Sequence, residues 1–385
     1  MLSLIHIMKS AIYLGAAIAL LRIAAAVLST HQNGEYRGQD QLVLGEDGQL
    51  NKTESNGTLE RITGTGSAKE VESTGSSIIH DAAIPVETPL DADNVATFKD
   101  PSPPSSYLTQ KYRFSVGTTT NQWAITYTPY NDDLTCKTRA DINADVATIA
   151  KKGFTSIRVY ATDCSILKHV GSAAAYHKLK LILGIHIDDT ILMLAQPQIN
   201  EIIAWANGKW DTVEMIVIGN EAIFNDFTTP QLLAEFITSA RDQLRSAGYP
   251  GPITTTEPLD ILSHNAAILC PVIDVAAANI HPFFHADVSP EIAGDYVISE
   301  LERLEEEICP GLQAVNLETG WPKVGMANGV AVPGVLEQWV AVVGIQKVAG
   351  GRSVFLGYAD DGWKEEGEFG VETSWGCAHI FGVEE

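Results

Sequence analysis

The sequence predicts an α/β protein built on one (β/α)8 TIM barrel, preceded by a disordered N-terminal stalk. After Tyr112, short apolar runs alternate with amphipathic stretches, which is the pattern of repeated βα units with a parallel sheet. The segment from Tyr112 to the end of the 385-residue chain has about the length of such a barrel. Two of the apolar runs end at a carboxylate, Glu221 and Glu318.

Eight apolar runs are the predicted strands, and eight strands close this type of barrel. The clearest is the unbroken apolar run 215–218 that leads to Glu221, which is typical of a strand buried on both faces. The predicted strands span residues 114–118, 156–161, 179–186, 213–221, 253–257, 275–281, 314–318 and 353–358.

The segments between the strands carry helix start signals. Thr229-Pro230 and Ser289-Pro290 each combine an N-cap residue with a proline at the first helical position. Residues 141–152 predict another helix that ends before Gly153. In each segment the apolar residues recur at a spacing of three or four, which indicates a helix with one buried face.

Residues 1–29 have the features of a signal peptide. Lys9 precedes an apolar run, and the small residues Ala24-Ala25-Ala26 would suit a signal peptidase. A retained membrane anchor is the alternative, because residues 11–28 approach the length that spans a bilayer. Arg22 interrupts this run, so we favour cleavage and secretion.

Residues 30–111 are predicted to form a disordered, acidic linker rich in Ser, Thr and Gly. Between positions 31 and 106 the aromatic residues are limited to Tyr36 and Phe98. Such a segment buries too little apolar surface to offset the entropy lost on ordering it. Asn51 and Asn56 lie in glycosylation sequons, which suit an exposed linker in the secretory path.

The chain carries a formal net charge of −23, with 48 acidic and 25 basic residues. This balance argues against nucleic acid or an anionic membrane as a partner, since both bind clustered Lys and Arg. A neutral ligand or an acidic medium fits better. We expect the protein to be a monomer.

In a (β/α)8 barrel the residues just past the carboxyl ends of the strands form the active site. Glu221 and Glu318 would both lie there, and paired carboxylates flanking a sugar bond are the groups that cleave glycosidic bonds. His281 and His285 have the i,i+4 spacing of a metal pair, but Pro282 breaks the helix that this pairing needs. We therefore expect no metal and no cofactor.

Four sequence blocks resemble glycoside hydrolase family 17. They are IRVYATDC at 157–164, VIGNEA at 217–222, ANIHPFF at 278–284 and LETGWP at 317–322. The likeness is to the secreted fungal cell-wall branch of this β-1,3-glucanase family, whose members are often named β-glucosidases. It covers residues 112–385 and implies a secreted, wall-associated catalytic domain that hydrolyses β-glucan with retention of configuration.

The resemblance implies that Glu221 is the acid/base and Glu318 the nucleophile. Retention requires the two carboxyl groups to be about 5–5.5 Å apart. Glu221 must hold its proton and Glu318 must stay ionised, so their environments should differ. Asn220 resembles the family's asparagine that contacts the sugar hydroxyl beside the reacting carbon.

The remaining predicted substrate contacts are aromatic or polar. Aromatic rings can stack on the C–H faces of a pyranose, although ordinary core packing is the alternative for each of them. The polar candidates are a hydrogen-bonding histidine and two residues from a block that resembles the family's motif after strand eight. In this block Gly357 or Tyr358 stands where many members carry a glutamate. The predicted contacts are Tyr160, His281, Phe283, Trp321, Asp361 and Lys364.

Two other functions stay open at this point. A glucan transglycosylase would share the covalent intermediate and differ in whether water or a sugar hydroxyl attacks it. A non-catalytic, glucan-binding wall protein would be expected to lack one glutamate or the preceding asparagine, and Glu221, Glu318 and Asn220 are all present.

Five cysteines in a secreted chain predict two disulfides and one free thiol. Sequence spacing alone does not set the pairing. In the predicted barrel, Cys270 and Cys309 precede neighbouring strands, and Cys136 and Cys164 both lie at the catalytic face. We therefore expect Cys270–Cys309 and Cys136–Cys164 disulfides, with Cys377 free.

Overall fold

The computed structural model describes residues 41–44, 50–53, 59–60, 116–118, 120–188 and 192–382. Eight strands form a closed barrel in which all neighbours are parallel and follow chain order. The predicted (β/α)8 fold is therefore confirmed. The strands are β1 (Ala124–Thr126), β2 (Ser156–Val159), β3 (Lys180–Ile185), β4 (Val213–Asn220), β5 (Ile253–Pro258), β6 (Ala276–Asn279), β7 (Ala314–Thr319) and β8 (Ser353–Phe355).

Helices alternate with the strands. They are α1 (Arg139–Lys151), α2 (Ile166–His177), α3 (Gln196–Ala206), α4 (Pro230–Ser246), α5 (Leu259–His264), α6 (Ala266–Leu269), α7 (Ala293–Arg303) and α8 (Val335–Ala349). Short 3₁₀ turns occur at Leu192–Ala195, Cys270–Val272, Pro282–Phe284, Pro290–Ile292, Gly350–Arg352 and Ala378–Ile380, and a π turn at Leu304–Ile308.

The predicted helix starts agree with the structure to within a few residues. Thr229 caps α4 by accepting a hydrogen bond from the Leu232 amide, and Pro230 is its first residue. In the same way Thr138 accepts from the Asp141 amide at the start of α1. After Ser289 a 3₁₀ turn comes first, and α7 begins only at Ala293.

The prediction of the first strand is wrong. Residues 116–118 form no strand; the first barrel strand is β1, eight residues later. The earlier segment crosses the amino ends of β7 and β8, where Val116 exchanges two hydrogen bonds with the Gln313 side chain and the Thr118 amide donates to Gly351. Val116 is apolar because it is buried at the amino end of the barrel interior, not because it pairs in the sheet.

The core has two layers, as the alternation of side chains along strands requires. Met215 and Val217 on β4 belong to a cluster inside the barrel. Their neighbours Ile216 and Ile218 point outward and pack in the larger cluster with the helices. β4 is thus buried on both faces, which is why its sequence is continuously apolar.

Three short strands lie within the range predicted as a linker: Gln41–Leu44, Leu50–Thr53 and Leu59–Glu60, which pair antiparallel. The rest of residues 30–111 and the predicted signal peptide at 1–29 lie outside the described residues. Asn51 is in the second strand and Asn56 is outside the described residues. The linker, the leader and the glycosylation sites stay predictions. No helix in the described ranges is long and apolar enough to cross a membrane.

The cysteines pair as the strand positions predict. Cys136 is bonded to Cys164, with Cα atoms 5.4 Å apart, and Cys270 is bonded to Cys309, with Cα atoms 5.5 Å apart. Cys377 is free and buried. The first disulfide ties the loops after β1 and β2 at the carboxyl face, and the second joins the segments before β6 and β7 at the amino face.

Candidate active site

The backbone at the end of β4 aims Glu221 into the barrel mouth. The pairing of β4 with β5 shifts register between Val217 and Asn220, and Gly219 and Glu221 both have positive φ, +80° and +54°. The Glu221 amide still donates to the Thr256 carbonyl at 2.9 Å. Such irregularities at strand ends redirect a side chain, and here the redirected side chain is a carboxylate.

Glu318 lies on β7, 8% exposed, with an arginine on one side and a histidine on the other. Arg158 Nη1 is 3.0 Å from one carboxylate oxygen, and His281 Nε2 is 3.4 Å from the other. Burial opposes ionisation, but the charge of Arg158, a hydrogen bond from His281 and the charge of Lys364 outweigh it and lower the pKa of Glu318 to about 2. Glu318 is therefore ionised at any ordinary working pH.

Arg158 connects the two halves of the site. It lies on β2 and is 1% exposed. One guanidinium nitrogen bonds Glu318, and the other, Nη2, donates to Asn220 Oδ1 at 2.7 Å. The sequence analysis did not single out Arg158. An arginine inside an apolar strand could have identified it, because a charge that is buried in a strand must have a paired partner.

Glu221 has a different environment from Glu318. Asn279 Nδ2, at the end of β6, donates to Glu221 Oε1 at 2.8 Å and approaches Asn220 Oδ1 at 3.2 Å. Desolvation, followed by the charge of Glu318, raises the pKa of Glu221 above its usual range, and the bond from Asn279 offsets only part of this rise. Asn279 is a second residue that the sequence analysis did not select.

The two carboxyl groups can therefore perform different chemistry. Glu221 tends to keep a proton that it can donate, and Glu318 is a paired, ionised carboxylate. A pair of titratable groups with pKa values pushed apart is the arrangement of a general acid and a nucleophile. The predicted contact Asn220 lies beside both, since Arg158 and Asn279 hold its Oδ1 and its amide nitrogen makes no hydrogen bond within the described ranges.

Tyr160 follows β2 and lies next to this pair. The Arg158 guanidinium sits 4.7 Å from the centre of its ring. Desolvation, followed by the charge of Glu318, raises the pKa of Tyr160 well above its ordinary value. The phenol is thus a neutral hydrogen-bond donor beside Glu318, as the predicted position at the cleft implies.

Two of the predicted aromatic contacts lie under the cleft rather than on its surface. Phe283 and Trp321 are 0% exposed and pack edge to face, with ring centres 5.5 Å apart. Neither ring has surface left for a sugar, so substrate contact is not supported for these two. The neighbouring Phe284 is 42% exposed and lies 5.9 Å from the His281 ring, which makes it the better candidate for a cleft wall.

The loop after β8 brings Asp361 and Lys364 together. Their side chains form an ion pair at 3.1 Å. Asp361 also accepts hydrogen bonds from the Thr128 hydroxyl at 2.6 Å and from Trp363 Nε1 at 3.1 Å. Lys364 is close enough to contribute to the lowered pKa of Glu318. Both predicted residues therefore belong to the surroundings of the carboxylate pair.

Among the residues of the described ranges, no group of three or more His, Cys, Asp or Glu side chains could hold a metal ion. His281 bonds Glu318 through Nε2, which is the hydrogen-bonding role predicted for it.

Residues 124–376 match the BtgE/BtgC glycoside hydrolase domain. The chain belongs to this family. It is 47% identical over 265 residues to the probable beta-glucosidase btgE of Aspergillus fumigatus, which covers 69% of this chain and 46% of the relative. The relative of that name in Aspergillus terreus is 44% identical over 280 residues, covering 73% of this chain and 50% of the relative. The chain thus spans about half the length of the curated relatives that it matches.

Solved structures support the fold. A glycoside hydrolase family 17 β-1,3-glucanosyltransferase from Rhizomucor miehei has a TM-score of 0.57 and 21% identity, covering 66% of this chain and 92% of that chain. An endo-laminarinase from Formosa has the same TM-score and 15% identity, covering 66% of this chain and 82% of that chain. These likenesses establish the barrel shared with this BtgE/BtgC domain.

Proposed function

We propose that this chain is a secreted, retaining glycoside hydrolase of family 17 that acts on the β-1,3-linked glucan of the cell wall. Glu221 is the acid/base and Glu318 the nucleophile. The observation that carries the proposal is that Arg158 and His281 lie against Glu318, whereas the partner of Glu221 is the neutral amide of Asn279. These surroundings displace the two pKa values in opposite directions, upward at Glu221 and downward at Glu318. Names of relatives add support, since several are called probable beta-glucosidases.

In the first step Glu318 attacks the anomeric carbon, and Glu221 gives its proton to the leaving oxygen. A covalent glycosyl-enzyme ester results. Glu221, now ionised, takes a proton from water, which attacks the same carbon and releases the sugar with its original configuration. Arg158 and His281 stabilise the carboxylate of Glu318 in the free enzyme and again when the ester breaks.

Substrate class follows from the site and the charge of the chain. A neutral glucan meets no repulsion from a protein of net charge −23. A structural neighbour, an active-site mutant of the Rhizomucor miehei glucanosyltransferase, is described in complex with laminaritriose, which supports β-1,3-linked glucose units as the first substrate to test. Secretion rests on residues 1–29, and the protein acts as a monomer in this proposal.

Product analysis on laminari-oligosaccharides tests the proposal. NMR spectra recorded during the first turnovers should show the β-anomer released first. Glu318→Gln should abolish turnover, because the amide cannot form the ester. Glu221→Gln should slow natural oligosaccharides far more than glycosides with an activated leaving group, which need no protonation. Release of the α-anomer, or wild-type rates in Glu318→Gln, would contradict the assignment.

Transglycosylation is the second candidate, because the structural neighbour with a shared barrel is named a glucanosyltransferase. The same ester would then be attacked by a sugar hydroxyl instead of water. The length of the products distinguishes hydrolysis from transglycosylation. Laminari-oligosaccharides longer than the substrate should accumulate at high substrate concentration if transfer dominates, and only shorter ones if hydrolysis does.

A further inference from the structure

Glu257 is a buried carboxylate that the proposed mechanism does not use. It is the next-to-last residue of β5 and is 0% exposed. Within the described ranges it forms no ion pair, although a buried carboxylate ordinarily needs a compensating group. Its two oxygens instead accept backbone hydrogen bonds, one from the Ile223 amide at 3.0 Å and one from the Phe224 amide at 3.1 Å.

These amides belong to the turn that begins at Glu221. The Asn225 amide donates to the Glu221 carbonyl at 3.0 Å, and the Phe227 amide donates to the Ala222 carbonyl at 2.9 Å. Glu221 itself has φ of +54°. A non-glycine residue in this region costs about 1–3 kcal/mol and persists only where its surroundings impose it.

Residues at the end of β5 accept hydrogen bonds from the backbone at Glu221 and from the backbone just after it. The Thr256 carbonyl accepts from the Glu221 amide at 2.9 Å, and the next side chain along, Glu257, accepts from the amides two and three residues after Glu221. The strain at Glu221 is thus balanced by three hydrogen bonds to two consecutive residues. Two of the three are made by one carboxyl group.

We propose that Glu257 is a positioning residue for Glu221, which fixes the acid/base carboxyl group by holding the turn behind it. This inference rests on the proposed function, in which Glu221 donates the proton. Glu257 reaches the backbone only and does not touch the substrate. Two acceptor oxygens are required. Both oxygens of a carboxyl group can accept a hydrogen bond whether or not it carries a proton, whereas a glutamine offers one acceptor and its NH₂ group would face the second amide.

The expected consequence is selective. If the turn relaxes, the carboxyl group of Glu221 moves away from the position in which it can protonate the leaving oxygen. A displacement of about 1 Å costs up to about 100-fold in rate. Glycosides whose leaving group departs without a proton should lose little in kcat/KM, which reports the first step, because Glu221 acts there only as the acid. Binding of the sugar ring should be unchanged, so the loss should appear in kcat and not in KM.

The experiment compares Glu257→Gln with Glu214→Gln in the full chain. Glu214 is a matched control, because it is also a carboxylate on a barrel strand, bonded by Trp123 Nε1 and the Ser156 hydroxyl, but at the amino end of β4. Each variant is assayed on laminaritetraose and on a dinitrophenyl β-laminaribioside. Glu257→Gln should lose about 10–100-fold in kcat/KM on the tetrasaccharide and less than about threefold in kcat/KM on the activated glycoside. Glu214→Gln should keep the wild-type ratio of the two rates.

A further cycle with Glu221→Gln separates the two hypotheses. In that background Glu257→Gln should add less than about twofold to the loss, because both changes act through one proton transfer. Equal losses of Glu257→Gln on both substrates would overturn this inference. If Glu221→Gln itself shows no leaving-group selectivity, the proposed function fails instead. Should Glu257→Gln not fold, Glu257→Asp, whose shorter stem draws the carboxyl group away from the two amides, must show the same selectivity.

Discussion

Among the groups that lower the pKa of Glu318, Arg158 has the largest effect, because it is buried and bonds Glu318 directly. Replacing it with methionine keeps most of its volume and removes its charge. The pKa of Glu318 should then rise, so the acid limb of kcat/KM should move to higher pH by about 1–3 units. We also expect kcat to fall by about 10²–10³-fold, since a preorganised donor is lost.

The measurement is a pH profile of kcat/KM on an activated glycoside. Arg241→Met is the control, because Arg241 pairs with Asp274 on the helix side of the barrel and should leave the acid limb in place. An acid limb that does not move in Arg158→Met would show that Arg158 does not set the ionisation of Glu318.

Glu257 predicts a pH dependence of stability. Desolvation raises the pKa of Glu257 from 4.5 to about 7, and the backbone hydrogen bonds offset only part of that rise. Between these values the folded protein holds a proton that the unfolded chain releases, so stability falls as pH rises through this window. The contribution is about 3 kcal/mol.

Urea unfolding at pH 4 and pH 8 measures this effect. Glu257→Gln cannot titrate, so the drop in the free energy of unfolding between the two pH values should be smaller in this variant by about 3 kcal/mol. Glu235→Gln, at an exposed position of α4, should retain the wild-type drop. An equal drop in wild type and Glu257→Gln would contradict the buried, proton-holding state of Glu257.

The sequence allowed prediction of the residues that stand at strand ends, and not of those that reach across the barrel. Glu221 and Glu318 follow apolar runs, so their position at the mouth comes from local pattern alone. Arg158 lies within β2, and Asn279, the last residue of β6, fell inside the longer predicted strand 275–281. The partners of both are distant in the chain. Closure of the barrel brings these residues together. A local sequence pattern cannot predict such contacts between distant parts of the chain.

At the scale of elements, long strands and capped helices were predicted well, and one of the two three-residue strands, β1, was not. β1 has only three residues, with Ala124 and Thr126 on either side of Ile125, so its apolar signal is weak. The preceding Val116 gave a stronger local signal because it is buried in the barrel interior. Tertiary burial and strand pairing therefore produce the same pattern over a short window.

Loss of each disulfide should have a different effect on stability and on kcat. Replacing Cys270 and Cys309 with serine removes a link between segments 39 residues apart at the amino face, which should cost about 3–4 kcal/mol of stability. kcat should stay at the wild-type value, because the active site lies at the other face.

Replacing Cys136 and Cys164 with serine should lower both stability and kcat. This pair ties the loop after β1 to the loop after β2, and Tyr130 in the first loop also donates to Asp163 in the second at 2.7 Å. Thermal unfolding and kcat of the two double variants, measured side by side, test the distinction. A larger loss of kcat in the Cys270/Cys309 variant would contradict it.

For the whole molecule, the catalytic fold requires only part of the chain. The family match begins at residue 124, but the described contacts of the barrel begin earlier, at Val116. Val116 and the buried Trp123 occupy the amino end of the barrel interior. The minimal catalytic unit should therefore begin before residue 116 and not at the start of the family match.

Two truncated chains test this boundary. A chain that begins at Ser106 keeps Val116 and should retain the thermal stability of the full chain and its rate on soluble laminari-oligosaccharides, because no barrel element is lost. A chain that begins at Ala124 loses Val116 and Trp123, and exposing the interior that they fill should cost several kcal/mol, about 3–5 from the tryptophan alone. The acidic segment before Ser106 would then act outside catalysis, as a tether to the wall. Comparing the first truncation with the full chain on insoluble wall glucan isolates that role. Equal soluble rates with altered retention on the wall support a tether, whereas a collapse of the soluble rate would show that the segment before Ser106 is needed by the barrel.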